Sequence, residues 1–212
     1  MGLDLVKALK APFSSEGWIA KLLVGGILLC IPIANFITMG YFVKYAKNLL
    51  NKDESLPSYS SMGNLFSSGV KLFIGSIILG IPVMLLCFII SMLFSESVFV
   101  STLLVYLVYF VYYFIAMVLI IRFSLDEKIL SMIDFQSAFD IFNGNKNLLS
   151  FILLFIASSL AYGIVVTICC ITIIGIILVP FLIYASVLSI YNLSAQFFIS
   201  SPKFEEVKSL IK

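Results

Sequence analysis

The sequence predicts an all-α integral membrane protein, and three observations lead to this fold class. Of the 212 residues, 62% are hydrophobic and only 11% are charged, and the mean hydropathy is +1.17. Soluble domains are about half apolar and about a quarter charged, so this composition excludes a water-soluble globular fold. The apolar residues also gather in four charge-free runs, which cover residues 22–43, 72–95, 97–121 and 147–202.

The last three runs predict four membrane-spanning helices in two hairpins. Residues 72–95 and 97–121 each have the roughly 20 residues that one span requires, and only Glu96 separates them. The fourth run is too long for one span, because a helix rises about 1.5 Å per residue. We divide it into helices at about 148–169 and 174–199, with a short turn because lipid cannot satisfy free backbone groups. Thr172 and Gly175 are the expected turn residues.

The first run leaves two alternatives open. It is long enough to cross the membrane once, but Pro32 lies near its centre, and an interior proline removes a helix hydrogen bond. If the run crosses once, the 13 Lys and Arg residues divide 3 against 10 between the two sides. If it enters and returns, all 13 lie on one side and Glu96 is the only charge on the other. Cytoplasmic loops are rich in Lys and Arg, which favours an N-terminal, proline-broken re-entrant hairpin over a single span.

A weak internal repeat also favours three hairpins. An aromatic residue, a turn of small polar residues and a basic residue precede an apolar run at 13–21, 66–71 and 142–146. Each of these segments follows a weakly amphipathic stretch, which predicts a helix in the headgroup plane. The repeated unit would be an interfacial helix followed by a membrane hairpin. Any multi-pass protein has aromatic and basic residues at its interfaces, so the similarity also has a simpler explanation. The expected interface anchors are Trp18, Lys21, Lys71 and Lys146.

We interpret the chain as a single membrane domain over residues 1–212. Its parts are a first unit at 1–54, a second at 55–121, a third at 122–200 and a short C-terminal amphipathic helix at 201–212.

Two helix starts are predicted from capping patterns. Ser124 to Glu127 matches a capping box and predicts the start of the third interfacial helix, which should end at Asn143-Gly144. The acids of this helix should face water; they are Asp126, Glu127, Asp134 and Asp140. Ser201 and Pro202 predict the start of the C-terminal helix. That helix should turn four apolar residues toward lipid: Phe204, Val207, Leu210 and Ile211.

The residue types argue against an enzyme. The chain has no histidine, which removes histidine bases and histidine metal ligands. Its four cysteines lie in apolar runs, where a thiol behaves as a small hydrophobe, so we expect neither a disulfide framework nor a zinc site. We expect no catalytic residue, no cofactor and no metal. The net charge of +2, from scattered basic residues, also argues against nucleic acid as a partner.

Three polar side chains inside the apolar runs form a candidate intramembrane site: Asn35, Asn192 and Gln196. Asn192 and Gln196 are one helical turn apart on one face. Broken helices can also expose backbone groups to a ligand; the expected helix breaks are Pro32, Pro82 and Pro180. Residues of these polar types join helices by hydrogen bonds as well, so a ligand site and a structural role both stay open.

Short motifs run along most of the chain. Asp53-Glu-Ser-Leu-Pro57 is followed by Leu65-Phe66-Ser-Ser-Gly69-Val-Lys71. Trp18-x-x-Lys21, Pro32 and Gly40-Tyr41 precede them, and Ala138-Phe139, Gly175, Pro180 and Gln196 follow. With these motifs the sequence resembles domain-of-unknown-function family 4013, although Ser68 stands where the family commonly has an acidic residue. The resemblance implies a prokaryotic multi-pass membrane protein and implies no activity.

We therefore expect a non-enzymatic scaffold or interaction protein of the cell membrane, with its basic face in the cytosol. Interfacial helices with aromatic and basic residues insert as wedges into one leaflet. The expected partners are the lipid bilayer and a membrane or cytosolic protein, bound at residues 44–71 and 122–146. The alternative is a small channel or carrier subunit for a neutral or lipidic solute. A hydrated path at the three polar residues would favour transport, whereas a closed apolar core would favour the scaffold. The oligomeric state is left open.

Overall fold

The structure is a computed structural model that describes residues 2–209, apart from the side chains of residues 173 and 174. Within that range the chain is helical and contains no β-strand. Nine α-helices are formed within residues 2–209: α1 Leu5–Lys10, α2 Trp18–Cys30, α3 Asn35–Leu50, α4 Met62–Leu93, α5 Val98–Asp126, α6 Phe135–Phe142, α7 Leu148–Cys170, α8 Ile173–Ser200 and α9 Phe204–Ser209. Short 3-10 turns at Ala11–Phe13 and Ile129–Ile133 follow α1 and α5.

Four of these helices, α4, α5, α7 and α8, are long and apolar enough to cross a membrane. They form the two predicted hairpins, and the fourth apolar run divides between Cys170 and Ile173, as expected from its length. The Thr172 hydroxyl caps α8 by accepting a hydrogen bond from the Gly175 N–H at 2.9 Å. Pro82 and Pro180 lie inside the continuous helices α4 and α8, so the helix breaks predicted there are wrong. Helices in apolar surroundings tolerate proline where neighbouring groups satisfy the freed backbone.

The first apolar run folds as a broken helical hairpin. α2 ends at Cys30, the turn contains Pro32, and α3 begins at Asn35. A single crossing would place the outer ends of α2 and α3 a bilayer apart. Instead, the Lys21 ammonium group donates to the Leu56 carbonyl oxygen at 2.8 Å.

Contacts with α8 give the directions of the two short helices. Both Gly25 of α2 and Tyr41 of α3 pack against Tyr184 of α8. Gly26 then meets Phe181, whereas Tyr45, one turn after Tyr41, bonds Asn192 in the opposite direction along α8. The chain therefore runs down α8 through α2 and returns through α3, as the re-entrant interpretation predicts.

One end of the helix bundle carries nearly all the charged residues. We call it the charged end; it comprises residues 2–21, 44–71, 122–147 and 200–209. Ser68 of α4 bonds Glu127 after α5, and Asn145 before α7 donates to the Phe197 carbonyl oxygen of α8, so all three hairpins open there. The twelve Lys and Arg residues of the described range belong to this end. Glu96 lies in the turn at the opposite end.

The core lies where α3, α5 and α8 meet, toward the charged end. Its largest fully buried side chains include Tyr41, Tyr45, Phe123 and Phe197. α8 is buried over much of its second half because it lies between the hairpins, while α4 and α7 expose most of their apolar residues. Such exposure is expected for helices that face lipid.

The three-hairpin arrangement is present, but the interfacial helix expected before the second hairpin is not. The apolar residues of the amphipathic stretch just before residues 66–71, Met62 and Leu65, belong to α4 itself. In the first unit, α1 and its 3-10 turn run at 86° to α2, across the end of the bundle. The third unit has α6 in the corresponding place.

The capping-box prediction is wrong. α5 continues through Ser124 to Asp126, because the Ser124 side chain is buried in the core and donates to the Ile121 carbonyl oxygen. Glu127 ends α5 in the left-handed conformation, with φ of 54°. The carboxylate of Asp134 caps α6 instead, by accepting the Ser137 N–H.

The C-terminal helix also differs from its prediction. α9 begins at Phe204 rather than at Ser201 and Pro202. Phe204 and Val207 are buried against the core and do not face lipid. The other two residues of that predicted face, 210 and 211, lie outside the described residues.

Candidate functional site

Two of the three predicted polar residues meet on α8 near the charged end. Asn192 is 2% exposed, and its side-chain amide donates to the Tyr45 hydroxyl at 3.1 Å. The Gln196 amide donates to the Asn192 Oδ1 at 2.8 Å. Gln196 Oε1 accepts the backbone N–H of Asp4 at 2.8 Å, and Gln196 Nε2 donates to the Asp4 carbonyl oxygen at 3.2 Å. The amide pair therefore joins α8 to α3 and to the N-terminal segment.

The third predicted residue, Asn35, lies elsewhere. It is the first residue of α3, ten residues before Tyr45. At about 1.5 Å per residue, this places it about 15 Å along the helix from the Tyr45–Asn192 contact. The structure does not bring Asn35 together with Asn192 and Gln196.

A cavity of about 670 Å³ lies beside this amide pair at the charged end. Asn192 and Gln196 contribute to its wall, together with Lys7, Lys52 and Glu54. Lys7 and Glu54 form an ion pair, which neutralises their charges. A polar solute could enter this cavity, but it would compete with amide groups that already bond to the chain.

A cluster of three tyrosines was not found from the sequence. The Tyr59 and Tyr184 hydroxyls are 2.7 Å apart, and the Tyr41 ring stacks on Tyr59 with centroids 4.5 Å apart. The Tyr41 hydroxyl donates to the Pro57 carbonyl oxygen at 2.9 Å. Burial raises the pKa of the Tyr59 phenol to about 12. A Cβ on Gly25 would overlap the Tyr184 ring, so glycine is required there for α2 to approach. Through the hydrogen bond between Tyr59 and Tyr184, the cluster holds the segment after α3 against α8.

A charged cluster at the end of α5 was also missed. Arg122 and Asp126 have side chains 7% and 8% exposed, with Nη1 and Oδ2 3.4 Å apart. Arg122 Nη2 lies 3.8 Å from Asp134 Oδ2, and the Ser131 hydroxyl donates to the Asp126 carboxylate. These contacts hold the second 3-10 turn and α6 against α5. The expectation that Asp126 faces water is wrong, because its carboxylate neutralises a buried guanidinium group.

The predicted interface anchors all lie at the charged end. Trp18 begins α2, with its ring edge-on to Phe13 at 5.4 Å between centroids. Lys71 on α4 and Lys146 before α7 are exposed. Lys21 instead bonds the Leu56 carbonyl oxygen.

Residues 2–209 offer no group of three or more Cys, Asp or Glu side chains that could hold a metal ion. All four cysteines are free thiols within this range. The cavity at Asn192 and Gln196 is therefore the candidate for a small polar ligand, and its chemistry is hydrogen bonding by amides.

Comparison with known proteins identifies a family. No curated protein and no solved structure matches the chain. The family model described as "Protein of unknown function (DUF4013)" matches residues 24–171, more than two thirds of the chain. The match covers most of the first hairpin, the whole second hairpin and the third as far as the end of α7. The chain therefore belongs to the DUF4013 family, as a membrane protein with four long apolar helices.

Proposed function

We propose that this protein is a non-enzymatic scaffold of the cell membrane whose charged end faces the cytosol and binds a membrane or cytosolic protein. The observation that carries the proposal is the bonding of the candidate polar site. Asn192 and Gln196 bond to Tyr45, to each other and to the Asp4 backbone, and Asn35 is remote. Polar side chains that bond to other parts of the chain in this way join helices together. This use differs from lining a hydrated path for a solute.

The exposed apolar side chains of the third interfacial segment support the same proposal. Leu130 is 73% exposed, Phe135 54% and Phe139 66%. On the opposite face of α6, Ala138 and Ile141 are buried in the core. The exposed face of such a helix inserts into one leaflet, while its other face packs on the protein. Insertion into one leaflet alone is how proteins sense or induce curvature.

The distribution of basic residues supports the proposed orientation. Lys and Arg accumulate in short cytoplasmic loops, so the charged end belongs in the cytosol. Epitope tags at both termini of the protein test this in intact cells. Both tags should be reached by antibody only after the membrane is permeabilised. A tag that is reached in intact cells refutes the orientation.

A vesicle experiment tests the scaffold. Purified protein is reconstituted into a mixture of small, highly curved vesicles and large, flat ones, and its density on each is measured. We expect enrichment on the small vesicles, loss of this enrichment in Phe139→Ser, and no loss in Phe99→Ser. Phe99 is the matched control because it is 78% exposed at the opposite end of the bundle. Equal density of the wild-type protein on both vesicles contradicts the proposal.

Photo-crosslinking tests the partner surface. A photoreactive amino acid at position 52 should form a discrete protein adduct in intact cells, whereas one at position 96 should not. Position 52 lies in the proposed surface 44–71, and position 96 lies in the turn at the other end. Absence of an adduct at position 52, or an equal adduct at position 96, contradicts this part of the proposal.

A second candidate function is a channel or carrier subunit for a small neutral or lipidic solute. The cavity beside Asn192 and Gln196 is the observation that favours it. The same vesicles decide between the two functions through their permeability to glycerol. A protein-dependent increase that Gln196→Leu abolishes would replace the scaffold with the carrier.

A further inference from the structure

An apolar groove runs along the outside of the second hairpin. Residues 78–86 of α4 and 107–115 of α5 form its walls, and its volume is about 520 Å³. Ile133 and Phe135 border it toward the charged end. Every lining residue is apolar except Tyr112, so the groove suits a hydrocarbon chain. We call it the α4/α5 groove.

The α4/α5 groove lies in the middle part of the hydrocarbon core. Ile78 and Leu86 follow Lys71 by 7 and 15 residues, all within α4. They are therefore about 10 and 22 Å further along the helix axis. Leu93, the last residue of α4, is about 33 Å from Lys71, close to the roughly 30 Å thickness of a hydrocarbon core. With Lys71 at the headgroups, the groove begins about 10 Å into the leaflet of the charged end and extends past the bilayer midplane, which lies about 15 Å from Lys71.

Lys71 lies on the same face of α4 as the groove. Residues 71, 75, 78 and 82 follow one another at helical spacing, so their side chains line one stripe. The Lys71 ammonium group is exposed, and it has no hydrogen-bond or ion-pair partner within residues 2–209. Two basic residues of α3 do have partners: Lys44 bonds Ser61, and Lys47 forms an ion pair with Glu127.

The second 3-10 turn crosses this stripe between the cation and the groove. Met132 packs over Gly75, where a Cβ would lie 2.3 Å from the Met132 sulfur. Lys71 is one helical turn from Gly75 toward the headgroups, and Ile78 is about one turn toward the bilayer centre. The turn therefore separates Lys71 from the groove along α4, and a lipid that contacts both must pass its glycerol backbone beside Met132 rather than over Gly75.

We propose that the α4/α5 groove and Lys71 together bind an anionic phospholipid, with one acyl chain in the groove and the headgroup charge at Lys71. The acyl chains alone do not distinguish anionic from zwitterionic lipids, so the preference must come from the cation. A basic residue near an anionic lipid surface contributes about 1 kcal/mol, which corresponds to about a five-fold preference. The proposal does not depend on the scaffold function.

A single tryptophan in the groove reports on the bound lipid. The chain has one tryptophan, Trp18, so Trp18→Phe with Leu107→Trp leaves fluorescence from the groove alone. The protein is reconstituted with phosphatidylglycerol or phosphatidylcholine carrying brominated acyl chains, which quench a neighbouring indole. We expect phosphatidylglycerol to associate about five-fold more strongly.

Charge variants identify the cation. Lys71→Gln should lower the preference to about one-fold, and Lys71→Arg should keep it, because the charge remains. Lys146→Gln is the matched control, since Lys146 is exposed at the same end on another hairpin. It should leave the preference unchanged. A preference that survives in Lys71→Gln, or equal association of the two lipids in the parent protein, overturns the proposal.

A second reporter position tests whether the groove holds lipid at all. Met84 is 65% exposed on α4 and does not line the groove, so Met84→Trp in the Trp18→Phe background senses bulk lipid. This reporter should be quenched equally by both lipids. Quenching at position 84 without quenching at position 107 would mean that a protein helix covers the groove, which also overturns the proposal.

Discussion

Gly40→Ala would disrupt the backbone contact between α3 and α4. A Cβ on Gly40 would lie 1.8 Å from the Leu65 carbonyl oxygen, and a Cβ on Gly69 would lie 1.8 Å from the Phe36 carbonyl oxygen. Real Cβ atoms do not approach closer than 3.0 Å, so the two helices must separate by about 1.2 Å or more. Overpacking a core costs about 1–3 kcal/mol, and we expect about 3 kcal/mol because backbone cannot rotate away.

The assay is the free energy of unfolding of the purified protein in detergent micelles. Gly163→Ala is the matched control, since a Cβ there has nothing within 4 Å, and it should change stability by less than about 1 kcal/mol. Gly69→Ala should cost about as much as Gly40→Ala. The double variant should cost less than the sum of the two, because separation for one methyl group makes room for the other. If Gly40→Ala is as stable as Gly163→Ala, the inferred backbone contact is wrong.

Three further predictions concern the polar clusters. Asp126→Asn leaves the buried Arg122 without its nearest carboxylate and should lower the unfolding free energy by about 3 kcal/mol; an unchanged value contradicts the buried pair. Asn192→Leu should cost about 1–3 kcal/mol through its lost bond to Tyr45, and a double-mutant cycle with Tyr45→Phe that shows no coupling contradicts that bond. The raised pKa of Tyr59 favours the neutral phenol in the folded protein, so its contribution to stability is complete below the ordinary tyrosine pKa of about 10. That contribution should be lost as the pH rises through about 12, and an absorbance titration with the same midpoint in Tyr59→Phe contradicts the assignment.

The spans could be predicted because their signal is local and one-dimensional. A charge-free run either exceeds the thickness of a bilayer or does not, which is why the division of residues 147–202 near Cys170 followed from length alone. The returning first hairpin was favoured by the same reasoning applied to charge, since Pro32 marked a break and the basic residues required one common side.

The polar sites could not be predicted because their partners are distant in sequence. Tyr41 and Tyr184 are 143 residues apart, and no spacing rule connects them. The capping-box prediction at Ser124 was wrong for a different reason. A capping box is a pattern of four residues, and burial of Ser124 in the core made continuation of α5 more favourable than a new start.

The sequence by itself determined that this protein lies in a membrane, how many helices can span it and which end carries the charge, because lipid excludes charge wherever it is found along a chain. Only the tertiary structure decided which polar groups meet. Asn192 and Gln196 were predicted to share one face of a helix, yet their hydrogen bonds to Tyr45 and to the Asp4 backbone depended on what packs beside α8. Likewise, Asp126 became buried because Arg122 and the second 3-10 turn enclose it. Most buried polar groups have a hydrogen-bond partner, and the identity of that partner depends on contacts that form when distant segments pack together.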